Sequence, residues 1–282
     1  MSVDSLQEKI RKAKNPAALV LEAFPDQLPE GLSGSEGFRD YYSRLLQALK
    51  GLVPGVRFGF GSFALLGDAG LEALSALSRE AKKLGYYVLL DGPEMLSSRS
   101  AENLAAALEV SPVEWDGLVI CPWLGSDVIK PLLPLCRKGK AVFCAVRTGN
   151  RSAFELQDLL SGSRLVHTAA ADLVTRHGES VMGKYGYSNL GATASAGSAD
   201  SLKVLRQKYP RMFLLLDGYD YSFRNSKNCV QAFDKLGRGA VVCGGESIVK
   251  AWAEAPEKDP VEAAREAAEK MKRNLGRYMT VL

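Results

Sequence analysis

The chain has 282 residues, enough for one large α/β barrel or two small domains, and its 46% hydrophobic and 24% charged content is ordinary for a globular protein with a full core. A formal net charge of +4, evenly spread, argues against nucleic acid, which wants a concentrated basic face. No apolar stretch approaches the roughly 18 residues of a membrane span. The leading MSVDSLQEKIRKAKN reads as a polar amphipathic helix without the apolar segment of a secretory signal, so a cytoplasmic protein is expected.

In chain order, short β-rich apolar runs alternate with longer amphipathic ones. Strands are predicted at 17–21, 56–60, 87–90, 118–121, 141–146, the region 187–192, 212–216 and 240–243. Helical patterns between them include GLEALSALSREAKKLG, SAENLAAALEV, SDVIKPLLPLCRKG, SAFELQDLLSG, ADSLKVLRQKY and NCVQAFDKLG, and the chain closes on PVEAAREAAEKMKRNLGRYM, with Pro260 at its start. Strands such as VFCAV and MFLLL are apolar throughout, as strands buried on both faces must be. Eight of them with helical crossovers predict a (β/α)8 TIM barrel, with a doubly wound sheet as the rival that uses the same alphabet. No linker or repeat divides residues 1–282, so one barrel domain with an extra N-terminal helix is expected.

The five cysteines are odd in number and form no C-x-x-C pair, and Cys121, Cys144 and Cys243 fall in runs that read as buried strands. Free thiols in a reducing compartment are the simplest account. His167 and His177 lie ten residues apart on LVHTAAADLVTRHG, the wrong spacing for a metal pair on one turn, so solvated helix histidines are expected. No zinc, calcium or P-loop signature is present.

Function in a barrel sits on the loops after the strands. Four of these loops carry quotable motifs: CPWLGSDVIKPLL after strand four, AVRTGNRSAFELQDL around strand five, LGATAS at 190–195, and GRGAVVCGGESI at 237–248. With VRFGFGSFALLGDAGLEAL and YYVLLDGPE, the set resembles the bacterial type II branch of orotidine 5'-monophosphate decarboxylase, in order and over nearly the whole chain.

The resemblance implies a barrel that removes CO₂ from a nucleotide in pyrimidine biosynthesis without metal or organic cofactor. An alternating Lys-Asp-Lys-Asp array would stress the substrate carboxylate and protonate the carbanion left behind. Part of that array is written D-x-K-x-x-D at the end of strand three. Here Asp91 matches the first Asp, Pro93 stands in place of the proton-donating Lys, and Leu96 in place of the second Asp. Arg57 replaces the earlier Lys at strand two. Arginine holds a carboxylate well and donates a proton poorly.

The implied binding groups are altered as well. Glu246 stands where the family's final loop places an Arg on the phosphate, a reversal that costs about 1 kcal/mol or more at contact distance even in water. Glu22 replaces the ribose-binding Asp, and DGYDYSFRN (217–225) replaces a Gly- and Gln-rich phosphate loop. Arg147, Thr148, Thr193, Gly244 and Gly245 keep the pattern, and with Tyr219 complete the candidate ligand-binding set.

Each residue also has a plainer reading. Asp91 is either a surviving site carboxylate or a cap on the Gly-Pro turn. Arg57 either clamps an acidic ligand or pairs with Asp91 or Glu22. Glu246 either accepts from a polar ligand or complements a helix start. Arg147 and Thr148 either bind ligand or brace the strand end. Tyr219, Tyr221 and Phe223 either stack on a ligand or cover the mouth.

The expected function is a catalytically impaired decarboxylase homologue with a small-molecule ligand at the barrel mouth, dimerising with itself or an active paralogue, and with neither nucleic acid nor membrane as partner. The alternatives are an active lyase in which Arg57, Glu94 or Lys184 stands in for the lost lysine, and an altered activity on a non-phosphorylated ligand.

Overall fold

Strands buried on both faces send alternate residues to two different cores, and the chain separates them cleanly. In the computed structural model, which describes residues 2–93, 95–221 and 225–279, Leu19, Leu21, Val56, Phe58, Val88 and Leu90 pack outward against the helices. Their neighbours Ala18, Tyr87, Leu89, Phe143, Phe213, Leu215 and Val241 form a second cluster inside the sheet. The eight strands are β1 (Ala17–Leu21), β2 (Gly55–Gly59), β3 (Tyr87–Asp91), β4 (Gly117–Ile120), β5 (Ala141–Arg147), β6 (Leu190–Ser195), β7 (Leu214–Asp217) and β8 (Ala240–Gly244). They close in the order β1-β8-β7-β6-β5-β4-β3-β2, every pair parallel. Closure makes this a (β/α)8 barrel and removes the doubly wound alternative.

The N-terminal helix (Val3–Ala13) plugs the bottom of the barrel: Val3, Leu6 and Ile10 join the interior cluster beneath Tyr87, Phe143 and Phe213. Asp4 fixes the plug by accepting from the backbone N–H of Lys184 (2.9 Å) and Tyr185 (3.1 Å). With this end sealed, the C-terminal ends of the strands form the accessible mouth. The C-terminal helix (Pro260–Gly276) starts on Asp259, whose side chain accepts from the N–H of Val261 and Glu262. Among the described residues no helix is long and apolar enough to cross a membrane.

Several local expectations are corrected. The sixth strand begins at Leu190 and not Tyr187. Tyr187 belongs to the underside, where its hydroxyl donates to Asp234 (2.7 Å) and its ring meets Phe213 edge-on, and the Asn189 side chain accepts from Val3 N–H at 3.1 Å. SAFELQDLLSG is no helix but a 3-10 turn (Arg151–Glu155) and half of a small hairpin, because Gln157 and Asp158 are drawn to Thr148 and Arg147. SDVIKPLLPLCRKG breaks into two 3-10 turns before a short helix (Leu133–Arg137), since Pro131 and Pro134 lack the N–H a continuous helix needs. NCVQAFDKLG is helical only over Asn225–Cys229 and a 3-10 turn. Cys121 is exposed just beyond β4, whereas the other four cysteines are buried, all unpaired. His167 is only 2% exposed and sits against Asp158 (3.2 Å), so it is no solvated histidine. His177 is half-buried, 3.0 Å from Ser126 Oγ.

Candidate functional site

The inward period of two, carried to the strand ends, places charge at the mouth. On β2 it runs Gly55, Arg57, Gly59; on β3, Tyr87, Leu89, Asp91; on β7 it reaches Asp217 two residues after Leu215; on β1 it leads past Val20 to Glu22. Gly59 is small for a reason: a Cβ there would lie 3.0 Å from Glu22 Cγ, where the glutamate side chain runs.

Arg57 is the centre of the arrangement. Its Nε donates to Asp91 Oδ1 at 2.6 Å and its Nη1 to Asp217 Oδ1, and its side chain is only 11% exposed. Burial opposes its charge, but Asp217 and Asp91 outweigh burial and hold the guanidinium above the ordinary arginine value. It is a fixed cation with no proton to give. Asp217 is pushed above the usual carboxylate value by burial, against the pull of Arg57, with Asp91 adding to the rise. Glu22 is raised as well, by burial first and then by Asp91, with Arg57 opposing. Burial drives the neighbouring Cys243 thiol upward, which keeps it protonated and unreactive.

These groups surround a cavity of about 500 Å³ lined by Glu22, Phe24, Arg57, Asp91, Asp217, Asp220, Cys243, Gly245 and Glu246, among others. Among the described residues that line it, five carboxylates face one guanidinium, and none is a lysine. Such a wall repels an anion and suits an uncharged or cationic group. Asp220 stands at the rim, where its carboxylate accepts from Gly245 N–H (2.8 Å), Ser247 N–H (3.3 Å) and the Ser247 hydroxyl.

Of the residues singled out by sequence, the structure brings Glu22, Arg57, Asp91, Gly245 and Glu246 together at this cavity. It sets the others elsewhere. Arg147 makes a two-armed ion pair with Asp158 (2.9 Å each), and Thr148 is bound through both its N–H and its hydroxyl to Gln157. Thr193 is buried in β6, in register with Leu215. Gly244 packs where a Cβ would lie 2.7 Å from Met271 Sδ. Tyr219 is buried with its hydroxyl 2.9 Å from Ser226 Oγ, beside a second cavity. Leu96 is 83% exposed. Lys184 pairs with Glu8 (2.6 Å) on the N-terminal plug, at the opposite end from the mouth. Glu94 and Phe223 lie outside the described residues.

Asp217 and Asp220 entered the sequence analysis only as part of DGYDYSFRN, without a role of their own. The signal for Asp217 was present, an ionisable residue ending the apolar run LLL in inward phase. Among the described residues no group of three or more His, Cys, Asp or Glu is arranged to hold a metal ion.

Fold and mouth together define a (β/α)8-barrel protein with a charged cavity at the C-terminal ends of its strands. No protein-family profile matches the chain. It is 30% identical over 223 residues to orotidine 5'-phosphate decarboxylase of Caldicellulosiruptor saccharolyticus, covering 76% of this chain and 73% of the relative. It is 29% identical over 242 residues to the enzyme of that name from Rhodopirellula baltica, 81% of this chain and 80% of that one. Among solved structures, Leishmania donovani OMP decarboxylase shares the fold with a TM-score of 0.77 at 21% identity, over 98% of this chain and all of that one. The chain belongs to the orotidine 5'-phosphate decarboxylase family.

Proposed function

We propose that this chain is a catalytically impaired member of its family: a barrel of the OMP decarboxylase type that does not convert orotidine monophosphate to uridine monophosphate. One observation carries the reading. Among the described residues that line the mouth the one cation is Arg57, already bound by Asp91 and Asp217, and none is a lysine. Decarboxylation leaves a carbanion that needs an acid within hydrogen-bond reach. A guanidinium held above its usual pKa is the poorest of donors, and Pro93 has no proton to offer. The acids at Glu22, Asp220 and Glu246 add repulsion toward a phosphorylated substrate.

The acid-lined cavity also favours a second reading, a retained binding function for an uncharged or cationic ligand that carries no phosphate. Dimerisation, with a second copy or an active paralogue, is supported by large apolar side chains exposed around the mouth loops, among them Leu65, Leu96, Leu124 and Phe154. A reducing, cytoplasmic setting is supported by the unpaired cysteines.

The test is direct. Purified protein is incubated with orotidine monophosphate and the loss of substrate absorbance is followed, with uridine monophosphate binding measured by calorimetry. No turnover above background and no tight binding are expected. Turnover that follows protein concentration contradicts the proposal.

A further inference from the structure

The underside of the barrel carries a polar group that the fold leaves unanswered. Gln7, on the N-terminal helix, is 4% exposed, and its Oε1 accepts from the backbone N–H of Gly239 at 3.0 Å. That bond fixes the orientation of the amide, because a donor N–H needs an oxygen opposite it. The other end is then the NH₂ group, and its Nε2 is buried with no hydrogen-bond partner among the described residues. A buried donor left in this state costs free energy that an acceptor would recover.

Gln7 lines a cavity of about 20 Å³ together with Glu8, Arg11, Tyr185 and Arg238. The two arginines come from the N-terminal helix and from the loop leading into β8, and among the described residues neither guanidinium has an ion pair or a hydrogen bond. The carboxylates nearby are taken. Glu8 pairs with Lys184 at 2.6 Å and accepts from the Tyr185 hydroxyl at 3.1 Å. Asp234 accepts from the Arg238 backbone N–H at 2.9 Å and from the Tyr187 hydroxyl at 2.7 Å. Two guanidinium groups without counter-ions and a buried amide donor thus share one small space, and an anionic acceptor answers all three.

We infer that this cavity is a site for a tetrahedral oxyanion, inorganic phosphate being the simplest, with one oxygen accepting from Gln7 Nε2 and the others turned to Arg11 and Arg238. The enclosed volume admits a single oxygen-sized group. The rest of the anion lies at the rim, where Arg11 is exposed and Arg238 half-buried. Guanidinium groups suit such an ion because their fixed fork of N–H donors matches two oxygens at once. A bound oxyanion then bridges the N-terminal plug and the turn before β8. The site stands at the opposite end of the barrel from the mouth, so it is independent of whether the mouth decarboxylates anything.

The experiment titrates the full chain with millimolar inorganic phosphate, holding ionic strength constant with chloride and following ³¹P line width, with circular dichroism as the check on folding. Wild type is expected to bind. Arg11→Ala and Arg238→Ala each remove one guanidinium and are expected to bind about tenfold more weakly. Gln7→Glu keeps the acceptor oxygen for Gly239 and sets a carboxylate oxygen where the NH₂ group stood, so binding is expected to vanish. If Gln7→Glu does not fold, the two arginine variants carry the test, since Arg11 is exposed and its truncation leaves the packed face of the helix intact. An affinity unchanged in either arginine variant would put the phosphate elsewhere and overturn the site. Folded wild type that does not bind phosphate also overturns it, and assigns the cavity to a water molecule.

Discussion

The guanidinium of Arg57, on β2, reaches across the mouth to the carboxylate of Asp217 at the end of β7, 160 positions further along the chain. With Asp91 on the other arm at 2.6 Å, the pair closes the top interior layer of the barrel with an ion cluster instead of apolar side chains. A cation so placed is held for structure before it is offered to any ligand.

Truncating Arg57 therefore acts on stability first. Arg57→Ala leaves Asp91 and Asp217 facing each other across a poorly solvated space, and loss of one member of such a cluster costs about 3–5 kcal/mol. Urea unfolding of wild type and variant checks this. A change near zero would mean that water already screens the cluster.

Glu22 gives a pH signature. Its carboxyl is held above the usual value by burial first and then by Asp91, with Arg57 opposing. A folded-state pKa above the unfolded one contributes stability that is complete below the unfolded value and is lost as pH rises through the folded value. Glu22→Gln removes that loss. The variant is expected to be more stable than wild type near about pH 8 and to surrender the advantage as pH falls toward about 4, the ordinary glutamate range. Chemical unfolding across that window is the measurement, and a stability difference independent of pH would refute the assignment.

Arg206 anchors the underside. Its guanidinium donates to the carbonyls of Ala232 (2.7 Å), Pro210 (3.0 Å), Met212 (2.9 Å) and Gly239 (2.8 Å). It is 8% exposed, and burial lowers its pKa. Arg206→Met keeps the length of the stem but leaves buried carbonyls without a donor, at a cost of about 3 kcal/mol by the measure of single unsatisfied groups. A thermal melt unchanged from wild type would contradict this bridging role.

The barrel was legible because its strands are apolar on both faces. AALVL and VFCAV admit no amphipathic alternative, and β1 runs over Ala17–Leu21 as expected. The misplaced start of β6 came from Tyr187, an aromatic of high strand propensity that the N-terminal plug and Asp234 hold below the sheet. The failed helix after β5 was a contest between local propensity and the Gln157 and Asp158 contacts, which only the folded chain supplies. At the mouth, the family resemblance singled out Arg57 and Asp91, and the inward phase of their strands brings them together. That Asp217 completes the cluster, and that Asp220 meets Gly245 and Ser247, depends on pairings between distant loops, which periodicity does not encode.

The central claim is that, among the described residues, the mouth offers no lysine to protonate a carbanion. It is tested most directly by incubating a molar excess of the protein with orotidine monophosphate labelled in the carboxyl carbon and collecting released CO₂. The account predicts release at the rate of the protein-free control, for wild type and for Arg57→Lys alike. Label released in proportion to wild-type protein, and abolished by Asp91→Ala, would contradict it.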